Sequence, residues 1–107
     1  MDAVTLDAQI DRLEEFRLQI AALGQTLAER ELDAHVLRLT IETELCQRGM
    51  TQTRAETEAK AEPRYLAHAR QSIQLRYDRE VVFARAEAQR LDIELQLAAL
   101  RRTELAA

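Results

Sequence analysis

Apolar residues recur at alternating steps of three and four through the first half of the chain. The row comprises Leu6, Leu13, Phe16, Ile20, Leu23, Leu27, Ala34, Leu37 and Ile41. This spacing places every member on one side of an α-helix and is typical of a helix that packs against another helix. It predicts a first helix over residues 5–48. Gly49 is expected to end it, because glycine readily adopts the left-handed conformation found at helix ends.

A second long helix is predicted over residues 63–105. Pro63 fits its first turn, where no amide proton is needed, and neither Gly nor Pro follows. The main apolar row of this helix comprises Leu66, Ile73, Tyr77, Val81, Ala84, Ala88, Leu91, Leu95, Ala98 and Leu105. Residues 49–62 form the connector. Thr53 followed by Glu56 offers a capping box there, which would allow a short helix within the connector.

Two helices of similar length joined by one connector predict an antiparallel hairpin, so the chain is expected to be a single all-α, coiled-coil-like domain over residues 1–107. With the turn centred near Ala55 and Glu56, position i faces roughly position 111−i. The heptad keeps its phase across Gly24, which favours a first helix that is continuous or gently kinked there. The predicted intrachain seam packs Leu13, Phe16, Ile20, Leu23, Leu27, Leu37 and Ile41 against Ile73, Tyr77, Val81, Leu91 and Leu95.

Each helix carries a further apolar row away from this seam. The large residues of these rows are Leu18, Leu32, Val36 and Leu39 in the first helix and Leu75, Val82, Ile93, Leu97 and Leu100 in the second. A hairpin buries only one row per helix, and each large side chain left in water forfeits about 1.5–3 kcal/mol. Long exposed rows usually mark an interface. We therefore expect a homo-oligomer, most simply a dimer of hairpins packed as a four-helix bundle, or binding to a different protein.

Composition and charge agree with helices that pair with one another. The chain has 107 residues with two Gly and one Pro, and 47% of the residues are hydrophobic, as expected for a helical protein. Residues 1–48 carry ten acids and five bases, whereas residues 63–107 carry six acids and eight bases. The net charge of −4 provides no strong field for nucleic acid.

No apolar stretch approaches the ~20 residues of a membrane helix, and the N-terminus does not resemble a signal peptide. A cytoplasmic protein without a membrane partner is therefore expected.

Two charged residues interrupt the seam of the first helix. Arg30 is expected to pack its stem in the seam and to extend its guanidinium to Glu80 or to water. Glu44 is expected to pair with Arg70 or His68. Such polar positions can select the register of paired helices.

Few residues could carry chemistry. Glu31 and His35 lie one helical turn apart, but a di-metal bundle needs a Glu-x-x-His motif on two helices, and Tyr65 stands three residues before His68. Cys46, the only cysteine, reads as a small hydrophobic residue of the second row. No phosphate-binding loop or nucleophile motif is present in the sequence. We therefore expect no enzyme activity, no metal, no cofactor and no small-molecule substrate.

Arginines line one face of the second helix. They are Arg76, Arg79, Arg90 and Arg101. Glu80, Glu87 and Glu94 lie three or four residues away and would neutralise much of this charge.

The expected function is that of a non-enzymatic, oligomeric coiled-coil protein that acts as a protein-binding adaptor, assembly factor or inhibitor of a larger machine. The alternative is a nucleic-acid accessory of the recombination or DNA-packaging type that uses the arginine face.

Overall fold

The described part of the chain consists of three α-helices. A computed structural model describes the backbone of residues 3–106 and the side chains of residues 5–105. The helices are α1 (Ala3–Gln47), α2 (Gln52–Ala61) and α3 (Pro63–Ala106), and this range contains no β-strand. The predicted all-α class and the two long helices are confirmed. None of these helices combines the length and the apolar character needed to cross a bilayer.

Gly49 ends α1 as predicted. Its φ of 97° is left-handed, and no other described residue has a positive φ. The amide of Gly49 donates to the Cys46 carbonyl at 3.0 Å, and the amide of Met50 donates to the Leu45 carbonyl at 3.1 Å. These two bonds form a Schellman motif, which satisfies carbonyls that the helix leaves without partners.

The connector contains a short helix, α2, whose N-terminal cap is Thr51. The backbone of Thr51 is extended (φ −67°, ψ 154°), and its hydroxyl accepts a hydrogen bond from the Arg54 amide at 3.4 Å. The sequence pattern placed this cap at Thr53, which is wrong because Thr53 already lies inside the helix. The chain is extended only at Thr51, and a cap needs that non-helical conformation. Ala55 and Ala59 are fully buried, so α2 packs through small side chains one turn apart.

Glu62 joins α2 to α3 and belongs to the caps of both. Its amide donates to the Ala59 carbonyl at 3.3 Å, and its carbonyl accepts from the Leu66 amide at 3.0 Å. Its carboxylate accepts from the Arg64 amide at 2.7 Å. Pro63 is the first residue of α3, as predicted. Glu62 therefore allows one helix to follow another with no intervening loop.

The chain divides into two compact units. Unit 1 comprises Met1–Ala22 and Asp78–Ala107, and unit 2 comprises Leu23–Tyr77. Unit 2 is a helical hairpin built from the second half of α1, α2 and the beginning of α3. Unit 1 contains the beginning of α1 and the larger part of α3. As expected, α1 continues through Gly24 without a break.

The α1 residues of the predicted seam are buried or half-buried. In unit 1, Leu13 is buried, and Leu6, Phe16 and Ile20 pack partly buried against its cluster. In unit 2, Ala34 and Ile41 are buried, while Leu23, Leu27 and Leu37 are half-buried. The periodicity of this row therefore identifies the face of α1 that lies in the core of each unit.

The face of α3 that enters the core differs from the predicted seam. Ile93 is 8% exposed and is buried with Leu13 and Ala86, whereas Leu95 is 66% exposed. The other predicted seam residues of α3 are exposed (Ile73, Tyr77 and Leu91) or half-buried (Val81). Leu75, Val82 and Ile93, which were assigned to an oligomer or partner interface, are instead half-buried or buried within the chain.

The spacing of the two apolar rows of α3 does not decide which one is buried. Both rows of α3 have helical spacing, so periodicity alone does not distinguish them. The buried row contributes Ala86 in unit 1 and Ser72 in unit 2, and small residues at a contact let two helix backbones approach closely. The row left outside carries the bulky Tyr77, several leucines and also the small residues Ala84 and Ala88.

Candidate protein-binding surfaces

The outward face of α1 in unit 2 carries an apolar row, here called the α1 row. It consists of Leu32, Val36 and Leu39, spaced by four and three residues. Leu32 is 62% exposed and Val36 is 54% exposed. The hydroxyls of Thr40 and Thr43 donate to the carbonyls of Val36 and Leu39, each at 2.9 Å. With these hydroxyls already bonded to backbone, the surface between the large side chains is less polar than its sequence suggests.

A shallow groove extends the α1 row towards α2. It is lined by Leu39, Glu42, Thr43, Cys46, Gln47 and Gln52. Cys46 is half-buried, and its Sγ donates to Oε1 of Gln52 at 3.3 Å. The expectation of a small apolar residue is therefore met only in part, because the thiol also ties the end of α1 to the beginning of α2.

A second outward row lies on α3 in unit 1, here called the α3 row. It consists of Ala84, Ala88, Leu91 and Leu95, all exposed. A groove beside this row is lined by Arg12 and Phe16 of α1 and by Arg85, Ala88, Gln89, Leu91, Asp92 and Leu95 of α3. Leu18 of α1 is also exposed in this unit, as are Leu97 and Leu100 near the end of α3.

Two arginines of the predicted nucleic-acid face are bound to carboxylates. In unit 1, Arg90 bonds Glu87 at 2.9 Å and Glu94 at 2.7 Å, which are the pairs expected from the sequence. The hydrogen bond from Arg90 lowers the pKa of Glu87, against a smaller opposing effect of desolvation. In unit 2, Arg76 pairs with Glu31 across the helices rather than with Glu80 along α3. Arg79 and Arg101 are exposed, so the arginine face is neutralised in part.

The two cross-helix ion pairs of unit 2 correct the predicted register by about one helical turn. Glu31 meets Arg76 instead of a residue near position 80, and Glu44 meets Arg64 at 3.4 Å rather than Arg70 or His68. Arg30 donates to Gln71 at 3.2 Å instead of reaching Glu80. The predicted register assumed a symmetric turn, whereas the connector is a capped helix that ends directly at Pro63.

The two histidines lie in different surroundings. Nη2 of Arg38 lies 3.2 Å from Nδ1 of His35, which accepts this hydrogen bond when the ring carries its proton on Nε2. Nδ1 of His68 is buried and has no hydrogen-bond partner within the described chain. Among the residues that the structure describes, no three His, Cys, Asp or Glu side chains are grouped so that they could hold a metal ion.

One charged pair escaped the sequence reasoning. Arg85 and Asp92 both line the groove of unit 1, and neither forms an ion pair with another described residue. Arg85 and Asp92 are seven residues apart, which places them on the same helix face. The sequence therefore contained the information that these two charges lie near each other. Its meaning depended on knowing that this face of α3 points outwards.

The fold and these surfaces define an all-α protein with a helical hairpin in unit 2 and outward apolar rows in both units. Comparison with protein-family models, with curated proteins and with solved structures gives no match for this chain.

Proposed function

We propose that the protein is a non-enzymatic, self-associating helical protein that binds another protein through the α1 row of unit 2. It acts as an adaptor, an assembly factor or an inhibitor of a larger machine. The observation that carries this proposal is the exposure of Leu32 and Val36 on a helix whose opposite face already fills the core of unit 2. Exposed rows of this kind usually mark an interface.

The geometry favours an amphipathic helix as the bound segment. Leu32, Val36 and Leu39 repeat at the spacing of one helix face, which matches the spacing of anchors on a helix laid alongside. Burial of large apolar side chains contributes about 1.5–3 kcal/mol for each one that is fully desolvated. A few such residues supply most of the affinity of a typical interface.

Charge narrows the choice of partner. Glu29 and Asp33 are exposed beside the α1 row, and the neutral amide of Gln25 donates to the Glu29 carboxylate at 3.5 Å. A bound helix with apolar anchors and flanking Lys or Arg would neutralise these carboxylates. Complementary charges of this kind guide orientation and association rate more than they add affinity.

Site-specific photo-crosslinking tests the α1 row in cells that produce the protein. A photo-reactive amino acid at Val36 is expected to capture a discrete partner, whereas the same group at the exposed Lys60 of α2 is not. The variant Leu32→Ser/Leu39→Ser should abolish capture at Val36 while keeping its helical circular dichroism. Equal capture at Val36 and Lys60, or capture that survives the double substitution, would refute the α1 row as the binding surface.

A further inference from the structure

We propose that the α3 row of unit 1 pairs antiparallel with the α3 row of a second copy of the chain, around a two-fold axis at the level of Gln89 and Arg90. This inference rests on the proposed function, of which self-association is a part, and it assigns the surface and the orientation. We assign a second copy of the chain as the partner of the α3 row for three reasons. The large and small residues of the row, the charges at its edge and the adjoining groove all fit an antiparallel copy.

The apolar residues of the row are complementary under such an axis. Two small residues, Ala84 and Ala88, precede two large ones, Leu91 and Leu95, along one helix face. Antiparallel pairing places Leu91 over Ala88 of the second copy and Leu95 over its Ala84. Each leucine then fills the space that an alanine leaves, and two-fold symmetry repeats every contact. Leu91 and Leu95, 51% and 66% exposed in the isolated chain, become covered.

The charges at the edge of the row select the same arrangement. Arg85 and Asp92 are exposed, carry opposite charges and lie on the same face of α3. Antiparallel pairing brings Arg85 beside Asp92 of the second copy, and the axis generates this pair twice. Parallel pairing in register would set Arg85 against Arg85 and Asp92 against Asp92, which is repulsive.

The surface beside the row is shaped to receive a helix. Arg12 and Phe16 of α1 form the other wall of the groove that contains Ala88, Leu91 and Leu95. A helix lying on the α3 row would therefore also cover the exposed part of Phe16, which is half-buried. The second copy gains contacts from both helices of unit 1, as in a four-helix bundle.

Sedimentation equilibrium of the full chain tests the charge pairing. We expect Asp92→Arg and Arg85→Asp each to weaken dimerisation by about tenfold or more, because each creates two like-charge contacts. The double variant Arg85→Asp/Asp92→Arg should restore the wild-type dissociation constant. Arg79→Asp, an exposed arginine that does not line this groove, provides the matched control and should change it little. A double variant no tighter than the single ones, or a chain that stays monomeric at every concentration, overturns the proposal.

Symmetric disulfide formation tests the orientation in a Cys46→Ser background. Ala88→Cys lies close to the axis and should cross-link two chains under mild oxidation. Ala98→Cys should not, because antiparallel pairing separates it from its symmetry mate by about 25 Å at 1.5 Å per residue. Cross-linking of both variants would indicate parallel pairing and overturn the proposal.

Failure of this inference and failure of partner binding at the α1 row give different experimental results. The Arg85 and Asp92 variants leave the α1 row intact, so capture at Val36 reports on partner binding alone. Dimerisation that is unaffected by the Arg85 and Asp92 variants would retain self-association but remove it from the α3 row.

Discussion

Leu13 of α1 and Ile93 of α3 are buried in one cluster of unit 1, together with Ala86. This relationship orients α3, because a helix that places Ile93 in the core cannot also place Leu91 and Leu95 there. Each leucine is two residues from Ile93, which corresponds to a rotation of about 200° around the helix axis at 100° per residue. Each therefore lies nearly opposite Ile93 on the helix. A single buried contact thus determines which apolar row of α3 lies in the core and which remains exposed in unit 1.

Substitution of Ile93 distinguishes the two rows by stability. We expect Ile93→Ala to lower the free energy of unfolding by about 2–4 kcal/mol, since it removes a buried side chain and leaves a cavity. Leu95→Ala should cost under about 1 kcal/mol, because its side chain is mostly exposed. Urea denaturation measures both, at a concentration where light scattering finds monomer. A larger loss for Leu95→Ala would mean that the sequence-predicted seam is the true one.

The Glu31–Arg76 pair reports the register of unit 2. Both side chains are partly exposed, and such pairs contribute at most about 1 kcal/mol. A double-mutant cycle with Glu31→Ala and Arg76→Ala should therefore give a coupling energy of about 0.2–1 kcal/mol that decreases with added salt. The parallel cycle with Glu80→Ala should give none. Coupling to Glu80 alone would place Arg76 along α3 rather than across to α1.

The stability of Gly49 variants should depend on how readily the new residue adopts a left-handed backbone conformation and not on the size of its side chain. A Cβ built on Gly49 meets nothing within 4 Å, yet the φ of 97° disfavours every L-residue. We expect Gly49→Asn to be the mildest change, Gly49→Ala to cost about 1 kcal/mol, and Gly49→Val to cost more. Thermal denaturation gives the order. Equal stability of all three variants would show that the helix end has rearranged.

Acid should weaken unit 1 through Glu87. The hydrogen bond from Arg90 holds the pKa of Glu87 below its ordinary value of 4.5, and desolvation opposes this only in part. A carboxyl with a lowered folded-state pKa contributes stability above pH 4.5 and loses it as the pH falls through the folded-state value. The stability advantage of the wild type over Arg90→Gln should therefore shrink below pH 4.5.

Nuclear magnetic resonance of the side-chain carboxyl carbons measures this directly. The Glu87 signal should titrate at a lower pH in the wild type than in Arg90→Gln, because the variant lacks the hydrogen bond that lowers the pKa of Glu87. A Glu87 that titrates at the same pH in both proteins would contradict the role of the ion pair.

Local signals predicted the helix boundaries well. Gly49 and Pro63 act through their own backbone preferences, which depend little on distant residues, and both mark helix ends where expected. The start of α2 was predicted less well. Thr51 and Thr53 have the same capping chemistry, and the path of the backbone after Gly49 determines which of them is the N-terminal cap. The pairs of Arg90 with Glu87 and Glu94 were predictable for the same reason, since residues three and four apart on a helix are neighbours.

Periodicity determined that the chain forms long helices, that α1 has one core face, and that each long helix carries more apolar surface than a hairpin can bury. The tertiary structure decided which row of α3 meets α1 in each unit and which carboxylate Arg76 binds. The physical reason is that helical spacing identifies faces but does not rank them. The ranking depends on how the side chains of each face fit the second helix, as Ala86 and Ile93 of α3 do with Leu13 of α1 in unit 1.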